Sequence, residues 1–232
     1  RVWTAAPFDE GDRVGVGMQY TSPDGEEGYP GTLTAQVTYA LTRDNELQVR
    51  FTAETDRPTI VNLVHHTYWN LSGDPTQTIG DHVLALHADK FLPVDDGAIP
   101  TGTVADVAGT PMDFRSPTPV GERIDQVDGG YDHNWILRTP EGELTPAAEV
   151  THPGSGRTLS ITTDQAGIQF YAGNFLDGTL TGKGGVRYAR RTGFCLETQR
   201  WPDSPNQPAF PSAVLRPGQT YTHRMDHRFG IA

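Results

Sequence analysis

Three short stretches of this sequence gather side chains able to move protons or hold hydroxyl groups. In residues 61–71 two adjacent histidines, His65 and His66, and the aromatics Tyr68 and Trp69 interrupt an apolar run. Neighbours on an extended chain point to opposite faces, so the two imidazoles do not readily serve one small ligand, and a metal site using both is disfavoured. At most one is catalytic; the plainer reading of either is a hydrogen-bonded, half-buried strand histidine. In residues 129–135 the pair Gly129-Gly130 lets the backbone turn before Asp132, His133 and Asn134 arrive between Tyr131 and Trp135. A carboxylate accepts hydroxyl hydrogens while an aromatic ring covers an apolar C–H face, so this grouping suits a sugar. Asp132 serves equally as a turn cap. In residues 194–208 Glu197 stands just ahead of a proline-punctuated loop and shares a strand face with Cys195 and Gln199, leaving Phe194, Leu196 and Thr198 on the other. Beside a thiol and an amide, a carboxylate is partly desolvated and its pKa rises toward that of a general base. A solvated strand-end glutamate fits the same local sequence.

The elements that must position these groups are strands. Leu33, Ala35, Val37, Tyr39 and Leu41 alternate with more polar neighbours, and Leu47, Val49 and Phe51 do the same after the polar turn 43–46, which predicts a hairpin. Further strands are expected at 60–70, 82–88, 158–163, 168–171, 194–199 and 220–229. Only 119–127 suggests a helix, of about two turns. Many strands joined by Gly- and Pro-rich connections predict an all-β sandwich or barrel, read as a single domain over residues 1–232. The long loops at 92–115 and 201–216 are candidate walls of a cleft.

The chain has 232 residues and a net charge of -11. That field argues against nucleic acid or an anionic membrane as a partner. Its single cysteine, Cys195, allows neither an intrachain disulfide nor a cysteine-based zinc site. No run reaches the roughly 18 apolar residues of a membrane span.

Taken together, the three stretches resemble the signatures of the aldose 1-epimerase family, in the same order and at similar separations. Residues 24–31, 169–175 and 215–218 also look like family stretches, so the similarity covers nearly all of the chain. The resemblance implies a galactose-mutarotase-like β-supersandwich, and an isomerase that interconverts the α and β anomers of free aldohexoses such as galactose and glucose. His66 matches the family's general acid and Glu197 its general base; Asp132 and Gln169 match residues that hold sugar hydroxyls, and Trp69 and His133 beside them are further candidate sugar contacts. His65 stands where the family motif more often has asparagine. Neither a metal nor any other cofactor is expected.

An upstream Asn-Arg pair and a His-Gly-Gly loop of the family have no match in residues 1–24. The expectation is therefore a natural protein with about a hundred further N-terminal residues, without which sheet edges would stand unpaired. The compartment reads as cytoplasmic from family habit, with secretion open because the N-terminus is absent. Competing readings are a hexose-phosphate epimerase, for which Arg187, Arg190 and Arg191 are the dense cations, a hydrolase pairing Glu197 with Asp132, and a non-catalytic sugar-binding domain.

Overall fold

The structure, a computed structural model, describes residues 1–138 and 142–232. Among these residues the regular elements are antiparallel strands, joined by 3₁₀ turns of three residues each. None contains a helix long and apolar enough to cross a membrane.

The larger sheet has nine strands. It runs in the order Thr4–Asp9, Arg13–Ser22, Leu33–Thr42, Glu46–Thr55, Tyr221–Ile231, Arg157–Thr163, Thr145–Thr151, Val83–Leu86 and Thr118–Pro119. Its central hairpin follows the alternation of the sequence. Leu41 faces Leu47 across the turn, Asn45 takes the left-handed conformation at φ 58° that asparagine tolerates, and Ala35, Val37, Val49, Phe51 and Ala53 are buried. A second sheet of five strands is ordered Cys195–Gln199, Gly167–Tyr171, Asp132–Leu137, Ala88–Leu92 and Ala105–Asp106.

The pleat divides the five-stranded sheet cleanly. Trp135, Ile168, Phe170 and Leu196 are fully buried on its inner face, with Phe114 and Tyr131 stacked among them at ring separations of 5.1 to 6.3 Å. Burying each such side chain contributes about 1.5–3 kcal/mol. The same face meets the larger sheet, where Thr198 Oγ1 lies 2.8 Å from His223 Nε2 and the His223 ring rests on Phe51. The outer face carries the polar residues described below.

Three expected elements take different forms. Residues 60–70 do not form a strand: Thr59–Ile60 pairs briefly with Val214–Leu215, Trp69 makes an isolated bridge to Phe194, and the chain between them is irregular. Its ends are held instead by the Asn62 amide, which donates to Arg200 O and accepts from Arg200 N, both at 3.0 Å, as a peptide unit would. Residues 82–88 divide between the sheets, Val83–Leu86 in the larger and Ala88–Leu92 in the smaller, because the chain crosses from one layer to the other at His87. The two-turn helix at 119–127 is a pair of 3₁₀ turns, Val120–Glu122 and Ile124–Gln126; burial of Val120 and Ile124 supplies the periodicity that suggested it.

Candidate active site

The outer face of the five-stranded sheet is a lattice of polar side chains set by strand register. Asn134, Gln169 and Glu197 stand directly opposite one another on three successive strands, and Asp132, Tyr171 and Cys195 form the next row. Beyond Glu197, Gln199 faces Gly167. A side chain at Gly167 would put its Cβ 2.7 Å from Asn134 Oδ1, so the glycine leaves room for the Asn134 and Gln199 amides to meet. Gln199 Nε2 donates to Asn134 Oδ1 at 3.1 Å and to Gln169 Oε1 at 3.4 Å, and Gln169 Nε2 donates to Asp132 Oδ1 at 2.8 Å. This chain of donors fixes which amide end faces which neighbour and aims the last of them at a carboxylate.

Above the lattice lies a cleft of about 240 Å³, lined by Asp132, Asn134, Gln169, Glu197 and Gln199 on its floor. Val94, Ala98 and Pro100 wall it from one long loop and Pro202 from the other. The two loops are tied where Gln207 Nε2 donates to Pro100 O at 3.1 Å.

The irregular segment between Asn62 and Trp69 runs beside the strand Cys195–Gln199 and delivers His66. Its Nε2 lies 3.5 Å from Glu197 Oε1; the imidazole is half exposed while the Glu197 side chain is 8 % exposed. The His66 ring stacks on Tyr68 at 5.3 Å and 25°, and both stand edge-on to Tyr171. Burial pushes the Glu197 carboxyl up to about 7, the charge of Asp132 adds to the rise, and His66 opposes it. Burial likewise raises Asp132, against the Gln169 hydrogen bond and His66. Cys195, fully buried and not in a disulfide, has its thiol held protonated by burial and by the Glu197 and Asp132 charges. Donor atoms of His66, Cys195 and Glu197 all lie within 4.8 Å of one another.

Of the residues singled out from the sequence, His66, Glu197, Asp132 and Gln169 thus come together. Two do not join them. His133 is turned by the pleat to the inner face, against Phe91 and Trp135, where burial lowers its pKa to about 4. The Trp69 ring packs on His227 and Phe229 of the larger sheet. His65 turns away from its neighbour, hydrogen-bonded to Thr67 and packed against Tyr39 and His227. Asn134, Gln199 and Tyr171 belong to the site without having been singled out as sugar contacts; the signal for each was a polar or phenolic residue two positions from Asp132, Glu197 or Gln169.

The aldose 1-epimerase family profile matches residues 1–228. The chain belongs to the aldose 1-epimerase family. It is 48 % identical over 219 residues to the galactose mutarotase of Homo sapiens, covering 94 % of this chain and 64 % of that protein. It is 38 % identical over 216 residues to the aldose 1-epimerase of Escherichia coli K12, covering 90 % of this chain and 62 % of that one. Among solved structures, a GalM/aldose epimerase homologue from C. elegans superposes with a TM-score of 0.89 at 30 % identity, over 100 % of this chain and 69 % of that one. A galactose 1-epimerase from Lactobacillus acidophilus NCFM gives 0.83 at 28 %, over 100 % and 67 %. The all-β supersandwich expected of the family is therefore the fold of this chain, which spans somewhat less than two thirds of the length of the curated relatives it matches.

Proposed function

We propose that the protein carrying this sequence is an aldose 1-epimerase that interconverts the α and β anomers of free aldohexoses, galactose and glucose foremost, by acid–base ring opening. The observation that carries this reading is the pair His66 and Glu197, an imidazole and a buried carboxylate 3.5 Å apart at the edge of a cleft floored with amides and a second carboxylate.

Anomer exchange requires the C1 hydroxyl to lose a proton while the ring oxygen gains one, so that the C1–O5 bond opens. Glu197, its affinity for a proton raised by burial, takes the C1–OH proton; His66 as imidazolium donates to O5. Rotation about C1–C2 presents the other face of the aldehyde, and the two transfers reverse. Asp132 and Gln169 hold ring hydroxyls, Asp132 as acceptor and Gln169 with its amide fixed by the Asp132 and Gln199 contacts.

Among the described residues no arginine or lysine lines the cleft to favour the phosphosugar alternative. Arg191 is engaged with Asp125 at 2.8 Å instead. Polarimetry of freshly dissolved α-D-galactose and α-D-glucose tests the proposal. Decay to the equilibrium rotation faster than in buffer alone is the expected result; no acceleration for either sugar contradicts it.

A further inference from the structure

We propose that His66, Cys195 and Glu197 form a binding site for a thiophilic divalent cation, zinc or cadmium, and that the bound ion inhibits by occupying the acid and the base together. Cys195 and Glu197 are two apart on one strand and project from the same face, so the sheet fixes the spacing of a sulfur and a carboxylate donor. His66 brings an imidazole from the segment anchored beside that strand. One cysteine is too few for a zinc site built on cysteines, but thiolate, imidazole and carboxylate together are a mixed donor set that zinc and its softer congener favour.

The distances suit such an ion after a small contraction. Donors bound tetrahedrally at about 2.0–2.3 Å stand roughly 3.3–3.8 Å apart; the His66–Glu197 separation is already 3.5 Å, and all three donors lie within 4.8 Å. His66 has room to approach, its half-exposed ring sitting on a segment outside any sheet ladder. Asp132, one row away, adds negative charge that favours the cation. The fully buried Cys195 sulfur faces the two other donors. On binding, the Sγ–H bond gives its proton to solvent and the sulfur pair forms the bond to the metal. Three protein donors leave a fourth position for water.

The binding stands on the geometry alone, whereas the inhibition rests on reading this site as the centre of anomer exchange. The two are therefore measured separately. Cadmium chloride is titrated into the protein while the ultraviolet thiolate-to-cadmium charge-transfer band is followed, with wild type compared against Cys195→Ser, His66→Asn and Glu197→Gln. The expected result is a band saturating at one equivalent, absent in Cys195→Ser, with affinity at least about tenfold weaker in each of the other two variants. His66→Asn alters a half-exposed side chain, so the test survives if Cys195→Ser fails to fold. No saturable band up to millimolar cadmium, or an affinity unchanged in His66→Asn or in Glu197→Gln, overturns the three-donor site. Inhibition of mutarotation by zinc or cadmium, reversed by chelator and matching the affinity from absorbance, supports the second half of the proposal; full activity with the band saturated overturns it.

Discussion

At the scale of single residues, burial makes Glu197 costly to ionise. Folding raises its pKa from the ordinary 4.5 to about 7, so the folded protein binds more protons than the unfolded chain between those values and this group's contribution to stability falls as pH rises through that window. Two outcomes follow. The base form proposed to take the C1–OH proton is lost as pH falls through about 7, so kcat/KM for galactose should drop there with a slope of one proton; a rate flat from pH 8 to 5 would remove Glu197 as the base. Glu197→Gln, by deleting a buried charge, should stabilise the fold at pH 8 by about 1–2 kcal/mol, or a few degrees in Tm by calorimetry. A lowered Tm would mean that the ion pair with His66 outweighs the desolvation of the carboxylate. The grouping of Asp132, Gln169 and Glu197 was legible through the family resemblance; alternation by itself placed only Glu197 with Cys195 and Gln199, because the register that sets the three strands side by side is not a local signal. The same alternation carries the correction for His133, which lies one position from Asp132 and so takes the opposite face, whereas the place of Trp69 was not legible because it follows a segment whose irregular path no alternation describes.

At the scale of elements, strand Cys195–Gln199 is the outermost of its sheet, and residues 62–69 lie along it, attached at both ends and free of ladder pairing between them. The anchors are the Asn62 amide on Arg200 and the Trp69–Phe194 backbone pair at 2.7 and 2.9 Å. Between them Leu63 is held to the larger sheet by Tyr221 and His223. The apolar, aromatic composition of 60–70 reads as a strand because that composition fits a buried extended chain; that an asparagine side chain would replace the ladder depends on residues over a hundred positions away. The turn before Asp132 is more local in its demands. Gly130 adopts φ 87°, and a Cβ there would stand 2.4 Å from Asn174 Oδ1, whose amide donates to Tyr131 O. Gly130→Ala should therefore cost about 1–3 kcal/mol in urea unfolding and raise KM for the sugar through Asp132; an unchanged unfolding midpoint would show that the turn relaxes without penalty.

At the scale of the whole molecule, the inner layer between the sheets keeps several histidines neutral. Burial lowers His82, His133 and His223 to about 4 and His227 to about 3. The His152 ring adds to the effect at His82 and the His65 ring at His227. Between pH 6.5 and 4 the unfolded chain binds these protons and the folded one does not, so stability is full above about 6.5 and falls on acidification, by about 1.4 kcal/mol per pH unit for each histidine. Glu197 and Asp132 act in the opposite sense but are outnumbered. The urea midpoint should fall steadily from pH 6.5 to 4, less steeply in His227→Phe; a flat midpoint would mean that these rings are protonated in the fold. The all-β class and the central hairpin were legible because alternation is a local signal, whereas the crossing of 82–92 between layers was not, since neither half alternates: 83–86 is apolar throughout and 88–92 holds Asp89 and Lys90 side by side. The most direct test of His66 and Glu197 as the proposed acid–base pair is the catalysed rate of α-to-β exchange of galactose by polarimetry, in wild type, Glu197→Gln and His66→Asn preparations that share a cooperative thermal transition. The account predicts a loss of about 10²–10⁴-fold in each variant; a rate near that of wild type in either would contradict it.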